Sequence, residues 1–139
     1  MWYEDLAECN YFGEEYAKIF AAVGWLENGK PYTNGESPTI IVEKLHEFRK
    51  TSWMHQYFLG YHECDFCKFS NIELGANTIL IAYKKQIYAC PALITHYIEK
   101  HKYLPLVEFI EAVLNYDHQY AMEYFKEIRE NKLHKIKWK

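Results

Sequence analysis

Two tight pairs of soft metal ligands constrain this chain more than anything else in it: Cys64-x2-Cys67 and, after 28 intervening residues, His96-x4-His101. If the four meet on one ion, a turn and a helix end must face each other, which restricts how the middle of the chain can fold. Zinc in structural sites takes four ligands in a tetrahedron, and Cys2His2 is one of its common sets. A C-x-x-C turn presents two thiolates from one loop, and a His pair at a helix end presents two imidazoles from the other side. Residues five apart lie about 140° apart around an ideal helix, so His96 and His101 converge only if the last turn departs from α geometry. Helix ends commonly do so, and His spacings of three to five occur in zinc sites.

Other ligands are available in the sequence. His62, two residues before Cys64, can replace either His or support the site by hydrogen bonding. Cys90 is a weaker rival, since a free thiol usually packs as a small hydrophobe. A redox reading of Cys64 and Cys67 is disfavoured, because redox pairs usually open a helix in a βαβ unit, whereas β-prone runs follow here. A hydrolase would need an open metal position and a base such as Glu63 or Glu99. The chain has neither an H-E-x-x-H motif nor a phosphate-binding glycine loop, so no enzyme activity and no catalytic residue is assigned.

With 139 residues, half of them hydrophobic and a quarter charged, the chain suits a single domain, 1–139, that needs no disulfide framework. Its zinc-finger-like core is expected at about 60–105, and a C-terminal helix with a basic tail at about 117–139. The net charge of −3 argues against general nucleic-acid affinity, which depends on Lys and Arg neutralising phosphates. Charge is uneven: residues 1–50 hold five basic and nine acidic side chains, whereas 132–139 hold four Lys and no acid. No apolar run approaches a membrane span, and the acidic N-terminus lacks the basic-then-apolar pattern of a secretory signal. A cytoplasmic location is therefore expected.

Along the chain, Tyr16, Ile19, Phe20 and Val23 have helical spacing, which predicts a helix over 13–23. Ser37 and Pro38 supply a helix start, with Ile41, Leu45 and Phe48 facing inward to about Lys50. Residues 71–74, 78–83 and 86–90 are β-prone and separated by turn signals, which predicts a small antiparallel meander. Pro91 opens the helix that carries both His, and Pro105 ends it. Leu106, Phe109, Ile110, Val113 and Leu114 mark another helix. Asp117 can cap a last one, on which Met122, Phe125 and Ile128 share a face. The fold class is α+β: a β-hairpin or meander and a zinc-finger-like helix, packed against flanking α-helices.

Gly60-Tyr-His62-Glu-Cys64-Asp-Phe-Cys67, together with Tyr88-Ala-Cys-Pro91-Ala-Leu-Ile-Thr-His96-Tyr-Ile-Glu-Lys-His101-Lys-Tyr103-Leu-Pro105 and Glu108-Phe-Ile, resembles a family of small uncharacterised bacterial proteins. Val23-Gly-Trp25-Leu26 and Ser37-Pro38 are similar to it as well. The resemblance spans roughly residues 20–115 and implies a zinc-site-like core with Cys64, Cys67, His96 and His101 at the matching positions, and no reaction. Leu106 stands where a second proline is expected. Locally, residues 64–101 also resemble a Cys2His2 zinc finger. DNA-binding fingers carry base-reading side chains ahead of the His, whereas Pro91-Ala-Leu-Ile-Thr is nearly all apolar.

The resulting expectation is a structural Zn2+ at Cys64, Cys67, His96 and His101 in a module that binds another protein, in one form an immunity or antitoxin-like protein. Its acidic N-terminal half would meet a basic surface. The 13 Tyr, 8 Phe and 4 Trp fit either interface hot spots or a tyrosine-rich core. The alternatives are a nucleic-acid-binding regulator using Lys132–Lys139 and a zinc-dependent hydrolase.

Overall fold

Alternation along two strands, with both of their faces covered, sets the architecture. A computed structural model of the chain describes residues 2–9, 19–50, 64, 66–67 and 78–131. The elements run β1 (Phe20–Ala22), α1 (Thr39–Lys50), β2 (Thr78–Tyr83), β3 (Gln86–Pro91), α2 (Ile94–His101), α3 (Val107–Leu114) and α4 (His118–Asn131). The sheet order is β1-β3-β2, with β2 antiparallel and β1 parallel to the central β3. Successive strand side chains point to opposite faces. Thus Ile79, Ile81, Tyr88 and Cys90 pack with Ile41 and Leu45 of α1, Ile94 and Tyr97 of α2, and Phe109 and Val113 of α3. On the other face, Leu80, Ala82, Ile87 and Ala89 pack with Phe20, Trp25 and Ala121, and with Tyr120, Tyr124 and Phe125 of α4. A sheet buried on both faces explains why β2 and β3 read as nearly unbroken apolar runs.

The mixed α+β class, the β2–β3 hairpin and the inward face of α1 agree with the sequence reading: Ile41 and Leu45 are fully buried and Phe48 nearly so. Asp117 caps α4, its Oδ1 accepting the N–H groups of Gln119 and Tyr120 at 3.0 and 3.2 Å.

Several expectations change. The helix expected over 13–23 is overturned at its C-terminal end, where Phe20–Ala22 form β1. Three buried residues pairing with β3 gain ladder hydrogen bonds, and this outweighs helical spacing in the sequence. Residues 10–18 and 71–74 lie outside the described set; among the described residues the third strand is β1, parallel to β3, which makes the sheet mixed. The helix α1 begins at Thr39, and Ser37 Oγ is buried without a hydrogen-bond partner among the described residues, so it does not cap. β3 extends through Pro91, and α2 starts three residues later. In α3 the buried residues are Phe109, Ala112 and Val113, leaving Leu114 exposed. Met122 is exposed too, and α4 buries Ala121 instead. Among the described aromatics, Phe20, Trp25, Phe48, Tyr88, Tyr97, Tyr103 and Phe109 are buried. Much of the aromatic surplus therefore belongs to the core.

The N-terminal segment lies along β1, with Leu6 N–H bonded to Ala22 O, Ala22 N–H to Ala7 O and Cys9 N–H to Phe20 O. No described helix is long and apolar enough to cross a membrane.

Candidate metal centre

Helix α2 packs Ile94, Tyr97 and Ile98 into the core, which turns His96 and His101 toward the Cys64–Cys67 turn. That turn is closed by Cys67 N–H donating to Cys64 O at 3.3 Å. The end of α2 is opened relative to α geometry. Lys102, in the left-handed region at φ 53°, sends its N–H back five residues to Tyr97 O, and the Tyr103 N–H reaches the same carbonyl at 3.1 Å. Both reach one residue further than a usual αL or Schellman ending does. The terminator is thus Lys102 rather than Pro105. In the widened turn, both histidines use their distal nitrogens, and the two Nε2 atoms come within 3.2 Å.

The ligand atoms of Cys64, Cys67, His96 and His101 all lie within 4.8 Å of one another. His101 Nε2 is 3.3 Å from both Cys64 Sγ and Cys67 Sγ, and His96 Nε2 is 3.3 Å from Cys67 Sγ. Around a tetrahedral zinc with ordinary bond lengths, ligand atoms sit about 3.3–3.8 Å apart, and four of the six separations in the cluster, at 3.2–3.3 Å, lie at the short end of that range. Hydrogen bonding alone does not account for it. An imidazole nitrogen offers one lone pair or one N–H, yet His101 Nε2 has three partners at contact distance. A cation at the centre satisfies all four at once.

The electrostatics suit a ligand set. Burial, followed by the neighbouring His101 and Lys100, holds His96 below the ordinary histidine value, and burial does the same for His101. Both rings therefore offer neutral lone pairs at pH 7. Burial pushes the Cys64 thiol up, opposed by the nearby backbone N–H groups of Phe66 and Cys67. Cation binding at such a thiol expels its proton.

Support around the site was not evident in the sequence. The Phe66 ring, between the two cysteines, lies 5.0 Å from His101, 5.7 Å from Tyr32 and 6.1 Å from Tyr97. The Tyr32 hydroxyl donates to His101 O at 2.8 Å across 69 residues. Phe66 is signalled only by its place inside the cysteine turn, and Tyr32 by nothing local.

Of the rivals, His62 and Glu63 lie outside the described residues, as does Lys132–Lys139. Cys90 is fully buried with its Sγ directed at Ile79 O, 3.6 Å away, and is no part of the cluster. Glu99 is half-exposed and contacts His46 of α1 at 3.4 Å.

Residues 1–114 match the model of a family described as a domain of unknown function, DUF7919. The match takes in all four cluster residues and stops before α4. No curated protein and no solved structure matches the chain.

Proposed function

The chain belongs to that family, and we propose that it is a zinc protein whose Cys64, Cys67, His96 and His101 form a structural Cys2His2 centre. The observation that carries this reading is the convergence of two sulfurs and two Nε2 atoms, within 4.8 Å, from a turn and a helix 29 residues apart at their nearest contact. Two thiolates and two imidazoles in tetrahedral array suit zinc, whereas magnesium and calcium prefer oxygen. Four protein ligands fill the tetrahedron and leave no position for a reactive water. This favours a structural ion over the hydrolytic alternative, and the contact of Glu99 with His46 argues the same way.

The metal would fasten the cysteine turn to the end of α2 and so complete the fold around residues that bind another protein. Exposed apolar side chains such as Val107, 82% exposed, and Trp2, Leu6 and Ile40 support binding to another protein. An acidic N-terminal half favours a basic partner surface, as an immunity or antitoxin-like protein would meet.

Native mass spectrometry of protein purified without added metal tests the centre. One zinc per chain, weakened or lost in His101→Ala, is the expected result. A metal-free wild type overturns the reading, and zinc retained unchanged in the variant removes His101 from the ligand set in favour of His62.

A further inference from the structure

Two sulfurs that meet on a metal are also placed to meet each other. Cys64 and Cys67 occupy one closed turn, and their Sγ atoms lie within 4.8 Å. They are not equivalent. Cys64 is buried at 7% exposure, whereas Cys67 is only half-buried. The remaining thiols, Cys9 and Cys90, are both wholly buried, Cys9 in the core cluster on the α4 side of the sheet and Cys90 facing Ile79 O. An oxidant from solvent therefore meets Cys67 first, and the one thiol within reach of Cys67 is Cys64.

We propose that the Cys64–Cys67 pair is a hydroperoxide-sensitive release device: oxidation to a disulfide withdraws two of the four ligands and frees the metal. This inference rests on the zinc-centre reading. The Cys67 sulfur attacks one oxygen of hydrogen peroxide. An S–O bond forms, the O–O bond breaks, and the departing hydroxide takes a proton to leave as water. The Cys64 sulfur then attacks the Cys67 sulfur. The S–S bond forms, the S–O bond breaks, and the second hydroxide leaves as water. The sulfur pair loses two electrons and the peroxide gains them. His96 and His101 remain, and two imidazoles without thiolates hold zinc far more weakly than the complete set. A thiol reductant reverses the step and restores both ligands.

The experiment treats the zinc-loaded chain with hydrogen peroxide and follows released zinc with a chromogenic chelator, alongside intact mass and disulfide mapping. The expected result is one zinc freed for each mass decrease of about 2 Da, a Cys64–Cys67 disulfide, and recovery on adding dithiothreitol and zinc. A Cys67→His variant keeps four ligands without a second thiol and should retain its zinc under the same treatment. Mapping of the wild type decides the matter even if that variant misfolds. Zinc retained by the oxidised wild type, zinc lost with only sulfinic or sulfonic products, or a disulfide to Cys9 or Cys90 would each overturn the device. A chain that carries no zinc before peroxide refutes the metal centre itself, whereas a loaded chain that resists peroxide refutes only the release.

Discussion

The Tyr103 hydroxyl donates a 2.7 Å hydrogen bond to Oδ2 of Asp5, 98 residues away in sequence, while Oδ1 of the same carboxylate accepts the Gly24 N–H at 3.1 Å. Tyr103 is fully buried, and its own N–H bonds the Tyr97 carbonyl at the opened end of α2. One carboxylate thus ties the N-terminal segment and the start of the 24–38 loop to the helix end that presents His101. A hydrogen bond to a charged group contributes about 1.5–3 kcal/mol. Tyr103→Phe should lose about that much stability in urea unfolding. It should also give up zinc to a competing chelator more readily than the wild type. Unchanged stability would show that the bond is not made in solution.

Gly24 has φ +78°, and a Cβ there would stand 2.9 Å from Cγ1 and Cδ1 of Ile94. Ile94 is fully buried at the start of α2, so it has little room to yield. Left-handed geometry costs an alanine about 1 kcal/mol, and overpacking adds about 1–3 kcal/mol. Gly24→Ala should therefore lower stability by about 2–4 kcal/mol, read as a large fall in the thermal midpoint. An alanine tolerated there would mean that the approach of α2 to this strand end is looser than described.

The β2–β3 hairpin turns through Lys84 and Lys85, both left-handed at φ 48° and 61°, where a two-residue type I′ turn prefers Asn-Gly. Two tyrosines of α4 brace it: the Lys85 N–H donates to the Tyr120 hydroxyl, and the Tyr124 hydroxyl donates to Lys85 O, each at 2.7 Å. Lys85→Gly relieves about 1–2 kcal/mol of strain but adds about 0.5–1 kcal/mol of unfolded-state entropy. The expected net gain is about 0.5–1 kcal/mol, with the backbone bonds to both tyrosines kept. Tyr124→Phe should cost about 0.5–1 kcal/mol. A destabilising Lys85→Gly would contradict the left-handed turn.

Stability should fall at both ends of the pH scale in the metal-free chain. Burial, with the Asp5 carboxylate, pushes the Tyr103 hydroxyl up, and burial pushes up the Cys90 thiol. Above about pH 8.5 for the thiol and about pH 10 for the hydroxyl, the unfolded chain loses protons that the folded chain keeps. Stability therefore declines as pH rises. His96 and His101 are lowered, so below about pH 6.5 the unfolded chain takes up protons that the folded chain refuses, and stability falls again. Urea midpoints across pH 4–11 check both limbs. A flat profile below pH 6.5 would show that these histidines are not buried neutral.

Several features were legible in the residues alone. Cys64, Cys67, His96 and His101 announce themselves because soft ligands at short spacing are chemically distinctive whatever the fold. Ile41, Leu45 and Phe48, and the cap at Asp117, follow from local periodicity and local hydrogen bonding. Phe20 carries helical spacing in the sequence, because three residues hold too little pattern to reveal a strand that exists only by pairing with Ile87, Tyr88 and Ala89.

The α+β composition, the hairpin and the ligand types are written in local stretches of the chain, since these depend on chemistry within a few residues. It takes the folded chain to make β1 a strand, to end α2 in an opened turn at Lys102, and to bring Asp5 and Tyr32 to the helix end carrying His101. Those contacts are long-range: β1 exists by pairing Phe20 with the distant Ile87, and Tyr32 and Asp5 reach His101 and Tyr103 across 69 and 98 residues. Their free energy comes from burial and pairing between segments, which no local window of the chain contains.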